Sequence, residues 1–167
     1  MVQYIVVGGG SAGCVIAARL SEDAQASVVL LEEGPRDTHP FIHLPVGFYK
    51  TSQGNLVERY PWEPPAGYIG TPNPTMVQAR VLGGGSSVNA MVYLRGQPAD
   101  YDSWAEGGAP GWAYKDVLPF FKKCEGNDRF SNDAHGTDGP LGVCDQRFTH
   151  PLTKLWLQAC QQAGLAY

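Results

Sequence analysis

Long apolar runs are missing. Nothing in these 167 residues approaches the ~20 consecutive apolar residues that a membrane-spanning helix needs. The apolar segment after Met1, Tyr4 to Gly8, is too short and lacks the basic leader of an export signal. A soluble, cytoplasmic chain with no membrane span is expected. Positive charge is also scarce: 12 Lys and Arg stand against 16 Asp and Glu, a net charge of -4. The few cations do not cluster, which argues against nucleic acid, whose phosphates demand grouped Lys and Arg. A small-molecule partner is expected instead. Cysteine is limited to Cys14, Cys124, Cys144 and Cys160 with no CxxC spacing, so neither a zinc site nor a redox pair is indicated and buried free thiols are expected. The four histidines, His39, His43, His135 and His150, fall in loops without metal-binding spacing. His39 and His43 are four apart, but Pro40 and Pro45 prevent a helix from presenting them together.

Glycine and proline, by contrast, are plentiful at 21 and 13. The length suits about one domain, and 43% hydrophobic with 17% charged residues marks a globular chain rich in irregular backbone. Tyr4 to Val7 and Val28 to Leu31 read as short buried parallel strands. Between them Ser11 to Leu20 places Cys14, Ala17 and Ala18 at helical spacing, so the amino-terminal third reads as a βαβ unit. Glu33 to Thr75 holds eight of the 13 prolines and no sustained periodicity, which predicts a long loop. Pro98 to Glu106, followed by Gly107, fits a short capped helix. Tyr114 to Glu125 is a second helix, kinked or weakened by Pro119. Pro151 to Ala163 is the most amphipathic, with Leu152, Leu155, Trp156, Ala159, Cys160 and Ala163 on one face. No internal repeat or low-complexity tract is present.

Two glycine motifs carry the chemistry. The first, Gly8-Gly9-Gly10-Ser11-Ala12-Gly13, is a GxGxxG sequence directly after a strand and opening a helix. Gly8 permits the tight turn, Gly10 lets backbone approach a diphosphate, and Gly13 allows helix and strand to pack closely. The helix amino terminus, at Ser11 and Ala12, offers unpaired N–H groups to phosphate oxygens. An acid about 20 residues on is expected to bind ribose hydroxyls, and Glu32 at the end of the second strand supplies it. Glu33 reads as a solvated loop residue. The motif suits FAD and NAD alike, since both carry an adenosine diphosphate half, while the acid disfavours NADP.

The second motif runs from Ala79 to Gly96, Ala-Arg-Val-Leu-Gly-Gly-Gly-Ser-Ser-Val-Asn-Ala-Met-Val-Tyr-Leu-Arg-Gly. It is too apolar for a linker and reads as a nest of N–H groups followed by a short helix. Here the sequence resembles the glucose-methanol-choline oxidoreductases. The resemblance continues through Asp100-Tyr101-Asp102-Ser103-Trp104, Pro110-Gly111-Trp112, Asp116-Val117-Leu118-Pro119-Phe120-Phe121 and His135-Gly136-Thr137-Asp138-Gly139-Pro140-Leu141. It covers the whole chain but only the amino-terminal part of the family's usual length.

The resemblance implies an α/β fold: a Rossmann-like FAD-binding βαβ unit with long loop excursions, incomplete without the remainder of the family fold. Residues 1–167 would form the amino-terminal part of a discontinuous FAD-binding domain, with the substrate domain mostly absent. Gly8, Gly10, Ser11, Ala12, Gly13 and Glu32 would hold the diphosphate and ribose. Val81, Gly85, Asn89, Ala90, Met91 and Val92 would lie along the flavin, with Arg80 a weaker candidate. Some relatives attach FAD through a histidine before the asparagine; the corresponding residue here is Val88, so non-covalent FAD is expected. The implied reaction is oxidation of an alcohol, with hydride passing to flavin N5 and a histidine base supplied from the missing carboxyl-terminal part. No catalytic residue is assigned within this chain. A complementary polypeptide is therefore the expected partner. A non-redox hydroxynitrile lyase and a cofactor-holding fragment inactive alone are the alternatives.

Overall fold

In a computed structural model, residues 2–165 are described, and the chain divides into two units, Met1–Val92 and Tyr93–Tyr167. The first unit opens with β1 (Val2–Val7), α1 (Ser11–Leu20) and β2 (Ala26–Leu31). The strands are parallel, with Ile5 opposite Val29 and Val7 opposite Leu31, which is the expected βαβ unit. Both strands begin two residues before the predicted apolar runs, because Gln3 and Ser27 extend the ladder through backbone alone. Val6 faces α1: a Cβ placed on Gly13 of that helix would lie 3.4 Å from its Cγ1. Alternation then turns Ile5 and Val7 to the opposite face. There they remain 68% and 82% exposed, beside a half-exposed Val29 and Leu31.

The Pro-rich stretch from Glu33 to Thr75, expected as a loop without regular structure, is partly built. Pro40 and Pro45 each open a 3-10 turn, Pro40–Ile42 and Pro45–Gly47, at the position where a missing N–H costs nothing. A short helix α2 (Phe48–Thr51) follows. β3 (Val57–Pro61) then pairs antiparallel with β4 (Thr75–Ala79). Apolar alternation does not announce this hairpin, because Glu58, Arg59 and Tyr60 are all exposed and only Val57 at its start is buried. Leu56, Val57 and Val81 are the buried apolar side chains of the described residues.

In the second unit α3 (Pro98–Glu106) has the predicted bounds. Asp100 Oδ2 accepts from the Gln97 N–H at 2.7 Å and fixes its amino end. The next helix, α4 (Tyr114–Cys124), contains Pro119 and stops one residue early, since Glu125 leaves to begin β5 (Glu125–Asn127). β5 pairs in parallel with β6 (Leu141–Val143). The two helices are joined by aromatic rings: Tyr101 of α3 lies 5.6 Å from Phe121 and 6.1 Å from Tyr114 of α4 between ring centroids. The last helix, α5 (Pro151–Gln162), is amphipathic as read, yet Leu152, Leu155 and Trp156 are 65%, 59% and 70% exposed. The cysteines are free, but none is buried: Cys124 and Cys144 are exposed, Cys14 and Cys160 partly covered. That corrects the expectation of buried thiols, and its cause is the small amount of core that encloses any of them.

One buried charge organises the second unit. Glu125 is fully buried, and all its lone-pair directions are taken up by neighbours. Its Oε1 accepts from Asn127 Nδ2 at 2.9 Å and meets His135 Nδ1 at 2.8 Å. Its Oε2 accepts from the Gly136 N–H at 3.2 Å and pairs with the Arg95 guanidinium. Arg95 also donates to the Ala134 carbonyl at 2.5 Å and lies over the Phe121 ring. Burial pushes the Glu125 pKa up, but the hydrogen bonds from Asn127, His135 and Gly136, with the Arg95 charge, outweigh it and bring it from 4.5 down to about 2. The unfolded chain therefore binds this proton more readily than the native one. Stability from the cluster is complete above about pH 4.5 and is lost as pH falls towards about 2, a change of about 3 kcal/mol. We expect denaturant midpoints to drop steeply across that window. Glu125→Gln should lower the midpoint at neutral pH by leaving Arg95 with an uncompensated charge, and should flatten the acid slope. Equal acid slopes for the two proteins would remove Glu125 from this role.

Candidate functional site

The site in the first unit begins where β1 turns into α1. Gly8, in the left-handed region at φ 94°, still donates to the Leu31 carbonyl at 2.8 Å and so closes the ladder before the chain turns. Gly10 caps the helix without a side-chain hydrogen bond. The first intrahelical bond runs from the Cys14 N–H to the Gly10 carbonyl at 2.9 Å. The amides of Ser11, Ala12 and Gly13 consequently have no carbonyl within the helix and carry its partial positive charge. A Cβ on Gly13 would fall 1.9 Å from the Gly8 carbonyl oxygen, which is the close helix-to-strand approach read from the motif.

The second glycine segment arrives at the same place. It leaves β4, passes through the buried Val81, and enters a 3-10 turn over Gly84–Ser87. The Gly83 N–H donates to the Gly9 carbonyl at 2.7 Å. Gly84, at φ 56°, lies so near Gly10 that a Cβ on it would sit 2.7 Å from the Gly10 Cα. Ser11 Oγ and Ser86 Oγ are 2.5 Å apart. The two motifs thus form one surface, joined backbone to backbone.

Glu32 completes it from the end of β2. Its Oε2 accepts from the Gly9 N–H at 2.6 Å and its Oε1 from the Gly34 N–H at 2.8 Å. Each carboxylate oxygen keeps a further lone pair for an outside donor. A cleft of about 500 Å³ opens beside it, lined by Val7, Gly8, Glu32, Glu58, Tyr60 and Arg80. It lies outside the carboxyl ends of the parallel strands, where open α/β sheets place their ligands. Glu33 is exposed, as read, but is not merely solvated: it pairs with Arg80 at 2.9 Å, and Glu58 flanks the same guanidinium at 3.4 Å.

The remaining predicted residues follow the 3-10 turn. Val81 is buried and can offer a ligand only its backbone, whereas Gly85, Asn89, Ala90, Met91 and Val92 are exposed. Asn89 Oδ1 accepts from the Met91 N–H at 2.9 Å. That bond holds Met91 at φ 56°, a costly conformation for a residue with a Cβ and one that tends to mark functional positions. Gly9, Gly34 and Ser86 were not among the predicted site residues. Gly9 and Gly34 contribute N–H groups to Glu32; the sequence placed Gly9 inside the first motif and Gly34 two residues after Glu32 but gave no sign that either meets the carboxylate.

The histidines have local work. His39 and His150 accept through Nδ1 from the Phe41 and Leu152 N–H groups, both at 3.2 Å, and cap the turns that follow. His43 Nε2 contacts the Asp37 carbonyl at 2.6 Å, and His135 serves Glu125. Among the described residues no group of His, Cys, Asp and Glu comes together as a metal site. No described helix is long and apolar enough to cross a membrane.

A strand, a glycine turn, a helix and an acid at the end of the next strand define a Rossmann-like dinucleotide cradle. Comparison with known proteins narrows this further. The chain belongs to the GMC oxidoreductase family, which it matches over residues 2–167. It is 42% identical over 168 residues to the alcohol dehydrogenase [acceptor] of Pseudomonas putida, covering 100% of this chain and 30% of that protein. Among solved structures, pyridoxine 4-oxidase from Mesorbium loti superimposes with a TM-score of 0.85 at 32% identity, covering 99% of this chain and 33% of that one. An FAD-dependent oxidoreductase from Chaetomium thermophilum does so with a TM-score of 0.73 at 31% identity, covering 97% and 29%. The chain therefore spans about a third of the length of these relatives.

The contact between the two motifs yields a direct test. Gly84→Ala places a methyl group against Gly10 backbone at a left-handed φ and should cost about 1–3 kcal/mol of stability by thermal or denaturant unfolding. Gly85→Ala, whose Cβ meets nothing within 4 Å, should change stability by less than about 0.5 kcal/mol. Similar losses in both variants would mean that the turn, rather than the contact, is being perturbed.

Proposed function

We propose that this chain holds FAD non-covalently as the amino-terminal part of an oxidoreductase acting on an alcohol. The observation that carries the reading is the junction of the two glycine motifs over the uncapped end of α1, with Glu32 beside it. The residues present fit the group. The free amides of Ser11, Ala12 and Gly13 suit a diphosphate, and Gly10 puts no side chain over them. Glu32 has acceptor capacity for ribose hydroxyls, and Asn89 to Val92 offer exposed backbone for a flavin ring. The relatives support the same choice, one being named FAD-dependent and one an alcohol dehydrogenase.

FAD, when bound, supplies a hydride acceptor at flavin N5 for the alcohol carbon. This chain's own residues bind and orient: the α1 amides meet phosphate, Glu32 fixes the ribose, and the turn at Met91 presents backbone groups. None is assigned the role of base, since each histidine is already engaged in a cap, a turn or the Glu125 cluster. The base would come from a carboxyl-terminal part of the family fold. Uncovered apolar surface on β1, β2 and α5 supports its being covered by that remainder. Val88, at the position where attachment would need a nucleophile, has an isopropyl group that cannot form the bond.

Purified from its source, the protein should be yellow. Acid precipitation should leave the flavin in the supernatant; colour retained by the protein pellet would sink the non-covalent reading, and a colourless active chain would sink the cofactor itself. Charge-assisted hydrogen bonds contribute ~1.5–3 kcal/mol. Glu32→Ala should accordingly weaken FAD binding by roughly ten- to a hundred-fold in a fluorescence titration. An unchanged affinity would shift the ribose contact to Glu33.

A further inference from the structure

We propose that Arg80 is a specificity-determining residue of the nucleotide cleft: Glu33 and Glu58 hold its guanidinium off the ligand, and the cleft thereby refuses an adenosine phosphorylated on its ribose. The inference rests on the dinucleotide reading above and adds to it a selection that Glu32 alone does not settle.

Dinucleotide cradles distinguish two kinds of ribose by charge. A carboxylate accepts from free hydroxyls, whereas an arginine nearby accommodates a 2′-phosphate. Both determinants stand around this cleft: Glu32 and Arg80 line it together, with Glu33 and Glu58 beside them. The place of Arg80 is set by backbone. Its N–H donates to the Leu56 carbonyl at 2.8 Å, one residue past the end of β4. Its carbonyl carbon lies where a Cβ on Gly34 would come within 2.3 Å. The hairpin and the turn after β2 therefore fix between them where this side chain starts.

What the guanidinium can do there depends on its partners. Nη2 lies 2.9 Å from Glu33 Oε1, and Nη1 lies 3.4 Å from Glu58 Oε1. The terminal nitrogens form the fork with which arginine grips a phosphate. Here both are turned to carboxylates, one from the turn after β2 and one from β3. Glu32, Glu33 and Glu58 against Arg80 leave the cleft with an excess of negative charge. Free ribose hydroxyls bring donors and no charge, so they suit that surface. A phosphate would have to displace both acids from Arg80 and then remain beside them. The pairs themselves are exposed, with Arg80 at 44%, and contribute little to stability. Amide replacements of the two acids should therefore leave the fold intact.

The test compares two ligands that differ by one phosphate. The flavin-free protein is titrated calorimetrically with ADP and with its 2′-phosphate ester, as the wild type, as the double variant Glu33→Gln with Glu58→Gln, and as that double variant with Arg80→Met added. The wild type should prefer ADP by at least roughly tenfold. A charge-assisted hydrogen bond from a released Arg80 predicts that the preference shrinks by roughly tenfold in the double variant, and that adding Arg80→Met restores most of it. An unchanged preference in the double variant would overturn the proposal. So would an equal loss of preference with and without Arg80, which would leave the acids repelling phosphate by themselves. A wild type that bound ADP but showed no preference would overturn it while leaving the dinucleotide reading in place, whereas failure to bind ADP at all would bring down both.

Discussion

Gly10 and Gly84 bring two segments of backbone into contact with no side chain between them, and the candidate site depends on that contact. Gly83 bonds to Gly9 across it, Ser86 reaches Ser11 over it, and Gly9 in turn donates to Glu32. A methyl group at Gly13 or Gly84 would collide with backbone, not with a movable side chain. The glycines therefore serve proximity as much as flexibility. Their entropic cost is offset by a surface in which amide N–H groups, rather than bulky side chains, face the ligand.

Electrostatics at this surface are divided by position. The amino end of α1 is short of acceptors, whereas Glu32 is an acceptor already bound twice and still able to bind again. An anion and a polyol on one ligand match that division. Arg80 stands between Glu33 and Glu58 at the rim; these exposed pairs contribute little to stability but hold the hairpin's end against the turn after β2. There Leu82 also bonds to Pro35 at 2.9 Å.

The second unit is organised differently. Its aromatic contacts are partly exposed, and Glu125, the one wholly buried charge among its described residues, is satisfied by four partners drawn from β5, from the loop at residues 134–136 and from Arg95. A carboxylate so enclosed is stable only while every partner is in place. The strand β5 is short because it serves this purpose: Glu125 and Asn127 turn inward, and the ladder with β6 needs no more than three residues.

Local sequence determined the βαβ unit, the helices at 98, 114 and 151, the first motif and its acid. Each of these depends on spacing along a single stretch: apolar periodicity, a proline or glycine at a helix end, a carboxylate a fixed distance after a glycine turn. The resemblance carried by the second motif extended that reading to residues expected to lie along a flavin. The hairpin β3–β4 was not legible, because its strands are exposed and its pairing is written in backbone hydrogen bonds rather than in alternation. Glu125 looked like the last residue of a helix; its burial is decided by Arg95 and His135, thirty residues before it and ten after. Ser86 and Ser87 are indistinguishable as adjacent serines, and only the approach of Gly84 to Gly10 turns one towards Ser11 and the other towards Leu82. Tertiary structure made those decisions because each depends on a partner remote in the chain, and no local pattern encodes which donor will meet which acceptor.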